Sequence, residues 1–127
     1  MIVIAIIGII TTVAVPQYGK YTKRSKFSEV IIFTAERKSA VSICVQENNS
    51  LDSCDGDNSQ GRDRGIPDDV SSGAGKYLAS IFTENGRITA TGNDAVDGAT
   101  YILQPAVQDS SVTWTRSGTC VEMNLCK

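Results

Sequence analysis

The sequence contains no histidine. Histidine is the usual general base near neutrality and the commonest metal ligand, so its absence removes the common nucleophile–base pairs and most metal sites. Aromatics are scarce, with three Phe, four Tyr and one Trp, which limits the chain to a small, mostly aliphatic core. The four cysteines, Cys44, Cys54, Cys120 and Cys126, form no CxxC pair, which argues against a zinc site or a redox motif. An even count at wide spacing behind an apolar N-terminus fits disulfides in an oxidising compartment. One domain is the default for 127 residues.

Charge is missing from the start of the chain. MIVIAIIGIITTVAV carries no charged side chain, and only Gly8, Thr11 and Thr12 fall outside the aliphatic and Met set. The run lacks the basic start and small-residue cleavage site of a signal peptide. It is also short of the roughly 20 residues that span a bilayer. Pro16 follows it, and then Lys20, Lys23, Arg24 and Lys26. Residues 1–40 hold six basic and two acidic side chains, a balance of +4, and the remainder holds six basic and twelve acidic, a balance of −6. A chain polarised in this way can associate with copies of itself; a basic stem and a solvated acidic head is the simpler reading. The acidic total argues against nucleic acid as the main partner.

Beyond Pro16, the residues Phe27, Val30, Ile31, Thr34, Ala35, Val41 and Val45 recur mostly at spacings of three and four. This predicts an amphipathic helix, with Glu29, Glu36, Arg37 and Lys38 available to its other side. No strong breaker occurs from Tyr21 to Glu47, and Asn48-Asn49-Ser50 ends the helix. Residues 48–75, rich in Asp, Ser and Gly, read as a long loop. From Lys76 the period becomes two. KYLASIFT and RITAT flank Glu84-Asn85-Gly86, a strong hairpin signal because Asn and Gly accept positive φ. GNDAVDG is a second turn region. ATYILQP and SVTWT predict two further strands, the first closed by Pro105 because proline cannot donate to a ladder. One long helix, a loop and four antiparallel strands make an α+β fold.

That layout, with these residues, resembles a type IV pilin. The resemblance lies in MIVIAIIGIITTVAVPQYGKYTKRSK, in GKYLASI opening the sheet, in the VTWT strand and in the Cys pair bracketing the C-terminal loop. It implies a pilin fold in which a long N-terminal helix, kinked or melted near Gly8–Pro16, packs on a four-stranded sheet. It divides the chain into a stem, 1–26, and a globular head, 27–127. The head comprises a helix continuation 27–47, a loop 48–75, a sheet 76–115 and a C-terminal disulfide loop 116–127. It also implies a leader and first few mature residues ahead of Met1, including a methylated Phe and a Glu. Neither maps onto a residue here, and about six such residues would bring the apolar run to about 21.

The function implied is structural: a type IV pilus subunit, anchored in the inner membrane before assembly and extracellular in the filament after it. An ATP-driven assembly machinery would be its partner, with adhesion, twitching motility or DNA uptake as the roles. The filament core would comprise Ile2, Ile4, Ile6, Ile7, Gly8, Ile9, Ile10, Val13, Val15 and Pro16. Alternatives are a type II secretion pseudopilin, which the two Cys pairs disfavour, and a membrane-anchored periplasmic binding domain. Four cysteines allow three connectivities. Local pairing, Cys44–Cys54 and Cys120–Cys126, closes the shortest loops, and the resemblance supports the C-terminal pair, whose loop is often a recognition surface in this family.

Catalysis and cofactors are not expected. Asp52, Asp55, Asp57 and Asp63, or Asp94 and Asp97, could offer oxygen ligands to calcium, but neither set has EF-hand spacing, and a solvated acidic loop is favoured. Asn48-Asn49-Ser50 fits a glycosylation sequon. Tyr18, Tyr21, Phe27 and Phe33 could form an electron-transfer stripe, against which core packing is favoured. Lys20, Lys23, Arg24 and Lys26 could meet DNA phosphates, although contacts to acidic neighbours, with Glu29 and Glu36 as candidates, fit their position better. Basic residues beside a membrane segment usually lie in the cytoplasm, whereas the cysteines place these outside.

Overall fold

The computed structural model describes residues 1–52, 54–56, 65–109 and 111–126, with residues 12–18 described by backbone alone. A single helix, α1 (Ile2–Asn48), fills the first third of the chain. At 1.5 Å per residue its 47 residues extend about 70 Å. It passes through Gly8 and Pro16 without interruption, so the lone subunit has not lost helix there. The helix stops where Asn49 turns left-handed (φ 53°) and its N–H donates to the Val45 carbonyl at 2.7 Å. The Asn48 side chain donates to the Cys44 carbonyl (2.8 Å), so this sequon asparagine is engaged in closing the helix.

Four strands follow as a meander: β1 (Leu78–Glu84), β2 (Arg87–Gly92), β3 (Thr100–Gln108) and β4 (Ser111–Ser117), each antiparallel to the next. Asn85 (φ 48°) and Gly86 (φ 79°) make the tight turn between β1 and β2. Gly86 is required twice over. Beyond its positive φ, a Cβ there would stand 2.6 Å from Leu51 Cδ2 and 3.1 Å from Pro105 Cγ. A 3-10 turn (Asp94–Val96), capped by the Asn93 side chain, links β2 to β3.

The second half of α1 lies on the inner sheet face. Phe27, Val30, Thr34, Arg37, Val41, Cys44 and Val45 are buried, at spacings of three and four. They oppose Ile81, Ile88, Ala90, Tyr101 and Leu103, and Phe27 meets the Tyr101 ring edge-on at 6.3 Å. Each such apolar side chain contributes about 1.5–3 kcal/mol when fully buried. Ala35, expected on this stripe, is exposed.

Four further expectations change. Pro105 does not close β3: it pairs with Trp114 inside a strand that continues to Gln108. Beyond Leu103, β3 has β4 but no longer β2 beside it, so a missing N–H can face an open edge. Arg37 is not on the outer side of α1 but 5% exposed. The C-terminal segment is not simply a loop; it contains a short helix, α2 (Thr119–Glu122). The long loop is also partly organised, since Val70 exchanges two 2.9 Å backbone hydrogen bonds with Ile81 and covers the free edge of β1.

Candidate functional site

The first turns of α1 are exposed throughout. From Ile2 to Ile10 every large aliphatic side chain is at least half exposed, from 51% at Ile6 to 79% at Ile2. The exposure surrounds the helix: Ile2, Val3, Ile4, Ile6, Ile7, Ile9 and Ile10 cover most of its circumference, and Ala5 and Gly8, also exposed, fill the remaining sector. A helix that is apolar all round is stable only when buried, and exposed patches of this extent mark an interaction or membrane surface. Among the described residues, no helix is long and apolar enough to cross a membrane. Of the residues expected in a filament core, Ile2, Ile4, Ile6, Ile7, Gly8, Ile9 and Ile10 lie on this exposed stem. The side chains of Val13, Val15 and Pro16 lie outside the described residues.

The stem meets the head at the basic cluster. Lys23 Nζ lies 2.7 Å from the Asp97 carboxylate, and Arg24 Nε donates to the Asn124 carbonyl at 3.2 Å. Lys26 lies 5.7 Å above the Tyr77 ring. Gly19, Lys20, Lys23, Asp97, Met123 and Leu125 line an open cleft of about 390 Å³ at this junction. The C-terminal loop thus forms part of the head's stem-side end. Leu125, Cys120 and Cys126 are buried there, while Val121 and Asn124 face outward. Disulfides join Cys44 to Cys54 and Cys120 to Cys126.

Further up, two charged side chains fasten loops to α1. Glu29 accepts the backbone N–H groups of Lys76 (3.1 Å) and Tyr77, fixing the entry to β1. Arg37 donates to the carbonyls of Pro67 (2.8 Å) and Asp68. Glu29 is therefore engaged within its own head, while Glu36 is exposed. Sequence reasoning missed Arg37's role, although it sits on the buried spacing between Thr34 and Val41.

The remaining candidates are scattered. Asp55 accepts the Asn85 N–H in the hairpin turn, Asp52 and Asp94 are exposed, and Asp57 and Asp63 lie outside the described residues. Among the described residues, no three acidic, Cys or His side chains are grouped to hold a metal ion. Phe27 is core, Phe33 packs against the core and Tyr21 is exposed. The Tyr18 side chain lies outside the described residues. Burial raises the Tyr101 pKa above the ordinary tyrosine value, with Arg116 opposing.

Comparison with known proteins agrees with this architecture. The sequence matches the pilin family, described as a bacterial filament, over residues 23–125. It is 37% identical to the type IV major pilin protein PilE of Neisseria gonorrhoeae, across 90% of this chain and 67% of that protein. It is 30% identical to the type IV major fimbrial protein FimA of Dichelobacter nodosus, across 92% and 77% of the two chains. The fold is similar to the solution structure of the major type IV pilin PpdD from enterohemorrhagic Escherichia coli, with a TM-score of 0.53 and 21% identity. That likeness covers 78% of this chain and 67% of the other.

Proposed function

This chain belongs to the pilin family, and from that premise we propose that it polymerises through its N-terminal helix into a type IV pilus, a helical homopolymer. The observation that carries this reading is the stem, whose apolar side chains are exposed on every side while the head has a closed core of its own. Copies of the same helix can bury that surface. Ile2, Ile4, Ile6, Ile7, Gly8, Ile9, Ile10, Val13, Val15 and Pro16 form the filament core in this reading, and the head forms the outer layer.

Before assembly the same stem is held in the inner membrane, and afterwards the subunit is extracellular. An ATP-driven machinery moves it from one state to the other. Adhesion, twitching motility and DNA uptake are the roles such a fibre serves. The test is to shear surface material from cells producing the chain and examine it by electron microscopy with an antibody to the head. Long labelled filaments are expected. Subunits confined to the membrane fraction would turn the reading toward a pseudopilin or an anchored binding domain.

A further inference from the structure

The cations that follow the apolar run are unevenly engaged. Arg24 is bonded to Asn124 and Lys26 sits over Tyr77. Lys23 is bound to Asp97 at 2.7 Å, but an ammonium has three N–H donors, so two remain among the described residues. Lys20 is exposed and makes no ion pair among the described residues. Lys20 and Lys23, one turn apart on α1, form one wall of the junction cleft. Met123 and Leu125 give the opposite wall an apolar surface beside Asp97. Gly19 leaves the cleft open between them, since a Cβ there would have nothing within 4 Å.

The level of this cleft along the helix is informative. At 1.5 Å per residue, Lys20 lies about 8 Å and Lys23 about 12 Å beyond Val15, the last residue of the apolar run. The headgroup layer extends about 5–8 Å outside the hydrocarbon, and a lysine reaches back along its own stem to place its charge there. Lysines outside the cytoplasm do not serve the usual orientation rule. A bilayer rich in anionic lipid supplies a complementary charge at this height.

We propose that the cleft binds the phosphate of an anionic phospholipid headgroup while the subunit is held in the membrane. Lys20 and the two remaining N–H donors of Lys23 face the phosphate, and Met123 and Leu125 lie against the glycerol. Asp97 limits the site, because its carboxylate occupies Lys23 and repels the ligand. The inference rests on the membrane-held stage of the function proposed above.

The test uses the full chain, added from detergent to vesicles of phosphatidylcholine alone and to vesicles also containing phosphatidylglycerol, with the bound fraction read by flotation. Wild type binds both and prefers the anionic vesicles. Lys20→Gln lowers that preference about fivefold, Lys23→Gln lowers it less, and Asp97→Asn raises it. Arg87→Gln, exposed at the far hairpin, leaves it unchanged. Soluble glycerol phosphate does not compete; competition would assign the cleft to a free phosphate and overturn the lipid assignment. Equal binding to the two vesicles, or a preference that survives the double Lys20→Gln, Lys23→Gln change, would also overturn it while leaving the stem reading intact. Failure to bind either vesicle would sink the stem reading and this inference together.

Discussion

The Arg37 guanidinium lies 3.7 Å from the Asp69 carboxylate, and that carboxylate accepts the Thr83 N–H at 2.8 Å. Arg37 also donates to Pro67 O, Asp68 O and Thr83 Oγ1. The middle of α1, the loop before β1 and the end of β1 are tied through one side chain. Burial pushes the Arg37 pKa down, and Asp69, Glu36 and Asp68 pull it back. A guanidinium nevertheless stays charged in a protein, so the node does not switch with pH.

Arg37→Met removes the cation and leaves its acceptors in place. Breaking a buried pair costs about 3–5 kcal/mol. Asp69 retains 15% side-chain exposure, so water can recover part of that, and we expect about 2–4 kcal/mol. For a head of this size the melting temperature falls by more than about 8 °C. Arg37→Lys keeps the charge but cannot fork to several acceptors, and restores less than half. Calorimetry of the full chain checks both, and an unshifted melt of Arg37→Met would refute the role.

The Cys44–Cys54 disulfide joins the end of α1 to the loop, and the Cys54 carbonyl accepts the Gly86 N–H at 3.0 Å. Releasing it loosens both the loop and the hairpin turn. The chain-entropy estimate for so short a ring is about 2–3 kcal/mol. The double change Cys44→Ser, Cys54→Ser is expected to lose that much by denaturant titration and to raise amide exchange at Gly86. Non-reducing peptide mapping that linked Cys44 to Cys120 would contradict the pairing.

Ile6 is 51% exposed on the stem, remote from the head. Ile6→Asp therefore leaves the head folded. A carboxylate in a filament core or bilayer centre costs several kcal/mol, repeated in every subunit. We expect no filaments in sheared surface material, with both disulfides formed and an unchanged head melt. Normal filaments from this variant would sink polymerisation through the stem.

The parts of the fold legible in the sequence were those governed by short-range physics. The three-and-four spacing from Phe27 to Val45 and the Asn85-Gly86 turn each act within a few residues. The misread parts depend on what lies across space. Pro105 is tolerated within β3 because β2 ends short of it. Arg37 is buried because Pro67, Asp68, Asp69 and Thr83, distant in sequence, converge on it. The apolar stem was legible as a surface needing a partner, but the junction cleft was not. Its walls come from Lys20 and Lys23 on one side and Asp97, Met123 and Leu125 on the other, segments that only folding brings together.

We expect the stem's weak stretch to run from Gly8 to Pro16. Gly8 costs about 1 kcal/mol in a helix relative to Ala. Thr11 Oγ1 already donates to the Ile7 carbonyl at 2.6 Å, a back-bond that tends to bend helices. Pro16 has no N–H to bond the carbonyl four residues before it. In the lone subunit the helix persists through all of this, and in a bilayer it must, because an unsatisfied backbone group in hydrocarbon has no other partner. A filament core lined by protein relaxes that demand, since neighbouring side chains can satisfy freed carbonyls. We therefore expect helical hydrogen bonds between Gly8 and Pro16 to be lost on assembly. An extended residue covers about 3.3 Å instead of 1.5 Å, so the stem lengthens and the fibre gains elastic slack. Gly8→Ala raises helix propensity locally and is expected to shorten the melted stretch and stiffen the filament under load. A filament map with unbroken helix from Ile2 through Lys26 would reject the expectation and leave Pro16 as a kink at most.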